Sequence, residues 1–241
     1  MKLLRKILRY VGIGLLFCLA AILVIVINFV FANPKVDMET LPSNLISLES
    51  RMGQEMLAES KYRNDYFNLK PNFVSQSRRA FCGVASSVIA VNTLKSDRSP
   101  VTQATIFDHD TRQVTHPLQV TVGGMTLAQL SDILRANQLN SQKIYASQSN
   151  IDKFRTLALN NLNSDSDLIL INYRRKALNQ NGGGHISPVA AYHQESDRFL
   201  IVDVAAYRYP SVWVESAQLW QAMNTIDNVS DRSRGFILVQ K

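Results

Sequence analysis

Chemistry with a thiol needs three kinds of residue: a cysteine nucleophile, a histidine to take and return its proton, and a group that orients the imidazole. The stretch "SQSRRAFCGVASSVIAVNTL" (75–94) supplies the first. Cys82 is one of two cysteines in 241 residues, and the other, Cys18, lies in an apolar run near the N-terminus. That count excludes a disulfide framework and a cysteine-based zinc site. The residues after Cys82 predict an apolar helix over 82–94, so the thiol meets the positive end of the helix dipole and its unpaired backbone N–H groups. Both favour thiolate, and Gly83 lets a substrate approach the backbone closely. Of the four histidines, His109 and His116 lie in a polar region without a visible partner, and His193 ends an apolar run as a loop residue. His185 follows "NGGG" and opens an apolar strand. Asp203 sits in "LIVDVA", an acid inside a run that reads as buried, where a carboxylate needs a partner. A neighbouring strand carrying His185 provides one. Gln76, six residues before the cysteine, can set its amide N–H beside the Cys82 N–H as an oxyanion hole for acyl transfer. The plainer reading of the same residues is a packed cysteine and a hydrogen-bonded buried aspartate.

The elements that must position these groups follow from periodicity. Leu45, Leu48, Met52 and Met56 fall on one face of a helix over 45–60, and 61–72 reads as a loop. Residues 97–124 are polar and poorly periodic. "TLAQLSDILRANQL" (126–139) is an amphipathic helix with Thr126 as N-cap, and 150–162 is another, capped by Ser149 or Asn150. Then the period changes. Residues 167–175, 185–193, 198–207 and 235–240 read as strands, with a helix over 215–226 between the last two. Helices first and antiparallel-looking strands later make the class α+β.

Charge narrows the partners. Four of the 26 basic residues, Lys2, Arg5, Lys6 and Arg9, precede the apolar run, leaving 22 basic against 19 acidic residues in the remainder. That balance, with no basic stripe interleaved with aromatics, sets nucleic acid aside. "VGIGLLFCLAAILVIVINFVFA" (11–32) carries no charge over 22 residues and can span a bilayer core, which takes roughly 20. Residues 1–32 are thus a signal peptide, with "VFA" as a passable cleavage site, or an N-terminal membrane anchor, the favoured expectation. The basic flank stays cytoplasmic and places 33–241 on the far side, exported, periplasmic or otherwise extracytoplasmic. Residues 33–69 follow as a linker and lead-in helix, and 70–241 form the catalytic domain.

Three segments, "QSRRAFCGVASSVIAVNTL", "GGGHISPVAAYHQESDRFLIVDVAAYRYPSVWV" and "LWQAMNTID", resemble the catalytic domain of phytochelatin synthase, especially its short bacterial members. The resemblance runs from about residue 70 to 240. It implies a papain-like two-lobed cysteine peptidase fold, a helical lobe followed by an antiparallel-sheet lobe, and a glutathione-derived acyl-enzyme. Its nucleophile, imidazole, carboxylate and oxyanion glutamine match Cys82, His185, Asp203 and Gln76. Substrate binding by the family carries over to Arg175, Asp227 and Arg234, with Gly184 beside them. A selective γ-glutamyl pocket needs a cation for the α-carboxylate and an acid for the α-ammonium.

The implied activity is glutathione γ-glutamylcysteinyl transfer, to water or to a second glutathione, in heavy-metal detoxification. The plant members' cysteine-rich C-terminal domain has no counterpart in these residues. The expectation is therefore that the protein ligates no metal itself and that Cd, Zn or Cu enter as thiolate complexes of the substrate. Monomer and homodimer both stay open. Two rival readings remain: a bacteriocin-processing-type or other papain-like peptidase, and a catalytically inert, membrane-tethered glutathione-binding module. Arg78 and Arg79 are expected to be solvated.

Overall fold

The computed structural model describes residues 2–241, in two units that part between Asn33 and Pro34. The first unit is a single helix, α1 (Lys2–Phe31). Its Gly12–Phe31 portion, 20 residues with none of the apolar window buried, is long and apolar enough to cross a membrane. The one amide in that run is satisfied by the helix itself, Asn28 Nδ2 donating to the Val24 carbonyl at 2.9 Å.

The second unit is built on β1 (Ile46–Ser47), β2 (Asn140–Tyr145), β3 (Asp167–Arg174), β4 (Gly184–His193), β5 (Arg198–Ile201), β6 (Val212–Glu215), a separate hairpin of β7 (Ile226–Asp227) and β8 (Arg232–Ser233), and β9 (Gly235–Gln240). All but the hairpin form one antiparallel seven-stranded sheet in the order β1-β6-β5-β4-β3-β9-β2. Both sheet faces are covered, so the central strands are nearly continuous apolar runs. In β3, Leu168 and Leu170 join one core cluster while Ile169, Ile171 and Tyr173 join the other. Helices α2 (Arg51–Glu59), α3 (Asn64–Leu69), α4 (Cys82–Leu94), α5 (His109–Val114), α6 (Pro117–Gly123) and α7 (Leu127–Ala136) precede most of the sheet, and α2, α4 and α7 pack into the first cluster. Helices α8 (Ile151–Leu162) and α9 (Ser216–Met223) cover the other face. Every residue of α4 except Asn92 and Thr93 is buried, which makes it the core helix of this layer.

Several boundaries differ from the sequence expectation, each for a local reason. The first amphipathic segment becomes a helix only at Arg51, because the Ser50 hydroxyl caps Gly53 N at 3.0 Å and Ile46–Ser47 pair with β6. Met52 is consequently exposed while Met56 is buried. The expected loop 61–72 contains α3, and the polar region 97–124 holds α5, capped by Asp108, and α6, with Pro117 at its start. Thr126 caps α7 through a reciprocal bond pair with Gln129, and Asn150 caps α8. The strand expected over 198–207 ends at Ile201: Val202 N bonds the Pro188 carbonyl, and the Asp203 carboxylate turns back to Ala205 N at 2.8 Å. His193 is buried, not a loop residue, with its nitrogens against Glu59 and Ser196.

Candidate active site

Helix α4 starts with Cys82 and has no side-chain cap at Phe81, so its first N–H groups are open toward the thiol. Gly83 packs where a side chain would meet Met125 Sδ at 3.0 Å and the Ile186 side chain at 3.2 Å. Its smallness therefore lets the head of α4 lie against the start of β4. Ser86 Oγ, one turn on, donates to the Ile186 carbonyl at 3.2 Å and ties the same two elements together. This docking brings Cys82 to His185, the second residue of β4.

The imidazole is held from behind. His185 Nε2 bonds Asp203 Oδ1 at 2.9 Å, leaving its other nitrogen to the Cys82 thiol, with which the side chain is hydrogen-bonded. Asp203 Oδ1 also accepts from Arg175 Nη2 at 2.8 Å and from Ala205 N. Burial opposes ionisation of Cys82, but the hydrogen bond and charge of His185, with the backbone N–H groups of Ile186 and Gly83, outweigh it and bring the thiol below its ordinary value. Burial and the Arg175 charge work against the imidazolium. The Asp203 charge and hydrogen bond, with the Cys82 bond, outweigh them and raise His185. Burial likewise penalises the Asp203 carboxylate, yet Arg175 and His185 hold it well below the usual carboxylate range. The directions all favour the same charges: thiolate, imidazolium, carboxylate and guanidinium in a row.

Cys82 and His185 open on a cavity of about 410 Å³, also lined by Asp227, Arg234, Gly184, Asn172, Arg174 and Arg79. Small-molecule sites run roughly 300–1,000 Å³. Arg234, just before β9, extends across the start of β4, with Nη1 donating to Asn172 Oδ1 at 3.0 Å and Nη2 lying 3.5 Å from Asp227 Oδ1. Gly184 makes this path possible, since a Cβ there would sit 2.6 Å from Arg234 Nη1. Burial draws the Arg234 pKa down from the ordinary guanidinium value, offset in part by Asp227. A cation and a carboxylate thus stand side by side in the cavity that holds the thiol.

Two expected site residues are placed differently. Arg175 does not line the cavity; it is 3 % exposed and lies behind the carboxylate, bridging Asp203 and Gln180 Oε1. It begins the turn after β3, so its side chain points into the protein while Arg174, the last residue of β3, reaches the cavity. Gln76 is buried, and its Nε2 donates to the carbonyls of Arg78 at 2.9 Å and Arg79 at 2.8 Å, not into the cavity. Arg78 is half-buried, bonding Thr121 Oγ1 at 2.7 Å over the Phe81 ring, so only Arg79 of the pair is exposed. Sequence reasoning missed Asn172, whose signal was an amide inside an otherwise apolar strand, and the lining turn 122–125. Among the described residues no group of three or more His, Cys, Asp or Glu is placed to hold a metal ion.

A family model described as phytochelatin synthase matches residues 36–236. Glutathione gamma-glutamylcysteinyltransferase 3 of Lotus japonicus is 32% identical over 179 residues, 73% of this chain and 37% of that protein. The Schizosaccharomyces pombe glutathione gamma-glutamylcysteinyltransferase is 28% identical over 207 residues, 83% of this chain and 50% of its own length. The chain therefore spans half or less of these relatives. Among solved structures, xylellain, a cysteine protease from Xylella fastidiosa, aligns over 88% of this chain and 97% of its own at 10% identity and a TM-score of 0.44. By the family match across 36–236, the chain belongs to the phytochelatin synthase family.

Proposed function

We propose that the chain is a glutathione γ-glutamylcysteinyltransferase. The observation that carries this reading is the Asp227–Arg234 couple in the same cavity as the Cys82–His185 pair. Glutathione offers what such a cavity recognises: an α-ammonium and α-carboxylate on the γ-glutamyl end, two residues from a Cys–Gly peptide bond. Arg234 takes the α-carboxylate and Asp227 the α-ammonium. The Cys82 thiolate adds to the carbonyl carbon of the Cys–Gly bond, and the oxyanion forms beside the Cys82 N–H at the head of α4. Collapse breaks the C–N bond as His185 gives its proton to the glycine nitrogen. Glycine leaves, and a γ-glutamylcysteinyl thioester remains on Sγ. Neutral His185 then takes a proton from the acceptor as its oxygen or nitrogen adds to the thioester carbonyl; collapse breaks the C–S bond and returns the Cys82 thiolate, giving γ-glutamylcysteine when the acceptor is water and the two-unit phytochelatin when it is the α-amine of a second glutathione. Asp203 and Arg175 touch no reacting atom; Asp203 positions the imidazole and favours its charged form, and Arg175 holds the Asp203 carboxylate in place. Cd, Zn or Cu ions enter as thiolate complexes of the substrate. Helix α1 attaches the protein to a membrane, or directs its export, with the second unit on the extracytoplasmic side.

The test is release of glycine from glutathione, read with a mass adduct on Cys82. Cys82→Ser protein releases none and carries no adduct; release at the wild-type rate refutes the scheme. A Cys–Gly dipeptide lacking the γ-glutamyl group is a poor donor, whereas equal turnover of the dipeptide returns the site to a general peptidase.

A further inference from the structure

The cavity has two walls. Residues 79–82 and the turn 122–125 form one, and the ends of β3 and β4, the β7–β8 hairpin and Arg234 form the other. Cys82 and His185 face each other, one from each wall. The charged lining residues are three arginines, Arg79, Arg174 and Arg234, and one acid, Asp227. On the proposed reading, glutathione brings two carboxylates and one ammonium. Arg234 and Asp227, 3.5 Å apart on the sheet wall, account for the γ-glutamyl pair. One carboxylate, that of glycine, has no receiver among them. Arg174 stands on the same wall as Arg234 and close enough for its charge to be felt there, so it reinforces the γ-glutamyl end.

Arg79 is on the other wall. Its carbonyl is fixed by Gln76 Nε2 at 2.8 Å, and the same amide lies 3.4 Å from the Tyr207 hydroxyl. The backbone of Arg79 is therefore anchored three residues before the nucleophile, while its side chain is exposed at the cavity. With the acyl portion running from Cys82 along the sheet wall to Asp227, the leaving portion lies on the opposite side of the sulfur. The glycine carboxylate carbon is only three bonds from the scissile carbon, about 4 Å along the chain, within reach of a guanidinium from that loop.

We propose that Arg79 receives the carboxylate of the departing glycine, which makes the enzyme select a scissile bond one residue from a free C-terminus. This rests on the function proposed above. The test compares glutathione with its glycine amide, γ-Glu-Cys-Gly-NH₂, as donors for wild type, Arg79→Gln and Arg79→Lys. Wild type loses about ten- to a hundredfold in kcat/KM on the amide, the range of a charge-assisted hydrogen bond. Arg79→Gln loses a similar factor on glutathione and turns over acid and amide within about twofold of each other. Arg79→Lys keeps part of the preference, which a merely structural role would not produce. Equilibrium binding of acid and amide to Cys82→Ala protein gives the same comparison without turnover. Indifference of wild type to the amide, or a preference that survives Arg79→Gln, overturns the subsite and leaves the function standing. Failure of wild type to release glycine or glycinamide from either donor overturns the function and the subsite with it.

Discussion

Replacing Arg175 by methionine tests the charge logic of the site. Cys82, His185, Asp203 and Arg175 are 8, 4, 1 and 3 % exposed, and as thiolate, imidazolium, carboxylate and guanidinium they sum to zero. Methionine keeps the apolar stem and leaves a buried site of net charge −1. The first consequence is stability: removing one partner of a buried ion pair costs about 3–5 kcal/mol, a large share of the roughly 5–15 kcal/mol of a typical domain. The second is titration. Loss of a cation raises the pKa of every group that felt it, and the Arg175 charge is coupled to Asp203 and Cys82 and opposes the His185 imidazolium. The guanidinium reaches the sulfur through the Arg175–Asp203 and Asp203–His185 contacts of 2.8 and 2.9 Å, the imidazole ring and one further hydrogen bond; a unit charge across the roughly 8–11 Å such a chain of contacts spans is worth about 1.5–2 kcal/mol at an effective dielectric of about 20, or about 1–1.5 pH units. The assay is the rate of iodoacetamide alkylation of Cys82 against pH, in a Cys18→Ser background because Cys18 is a second free and exposed thiol. Arg175→Met moves the thiol midpoint upward by about that amount, and Arg175→Lys, which keeps the charge but not the fork to both Asp203 and Gln180, moves it less. A folded Arg175→Met protein with an unchanged alkylation profile refutes the idea that these four groups titrate as one.

Activity depends on a thiolate and an imidazolium together, so kcat/KM against pH is bell-shaped, with an acidic limb below ordinary thiol titration and an alkaline limb above ordinary histidine titration. Asp203→Asn removes the charge that raises His185, so the alkaline limb moves to lower pH and the optimum rate falls by at least about a hundredfold; an unmoved alkaline limb rejects the role given to Asp203. A separate prediction concerns Asp65, fully buried with neither carboxylate oxygen hydrogen-bonded, where burial and then the charges of Asp167 and Asp165 push its pKa up to about 9. A folded pKa raised above the unfolded value gives stability that is complete below about pH 3.9 and is lost as pH rises toward the folded pKa. By pH 7 that loss reaches up to about 4 kcal/mol, and Asp65→Asn removes the slope. Urea unfolding at pH 5 and pH 8 reads it directly, and equal slopes in both proteins count against the buried neutral acid.

The parts of the fold that were legible are those where burial and period coincide. Helix α4, the capped starts of α7 and α8, and strands β3, β4 and β9 carry apolar residues at spacings that only one element satisfies. Strand β2, "NSQKIY", was hidden because it is an edge strand that pairs only with β9, so its exposed positions are polar and its apolar pattern is weak. The true start of α2 was hidden by a tertiary contact: Leu45 and Leu48 are buried by lying beside β6, not by continuing a helical stripe.

At the site, residue types gave the chemistry, but the direction of a side chain at the end of an element is not encoded in spacing. Arg174 and Arg175 show this at the end of β3, where adjacent residues diverge and the expected ligand became the support of the carboxylate. Gln76 shows it again. An amide nitrogen has two hydrogens, and here they serve the carbonyls of Arg78 and Arg79 while its Oε1 is buried without a partner. Turning Nε2 toward an oxyanion leaves at least one of those carbonyls unpaired, a cost of roughly 1–3 kcal/mol that the new bond must exceed. In the conformation observed, the glutamine instead fixes the two residues that lead into Phe81 and Cys82. In this conformation Gln76 acts on the loop it anchors, which leads to the Cys82 N–H and to Arg79 at the cavity.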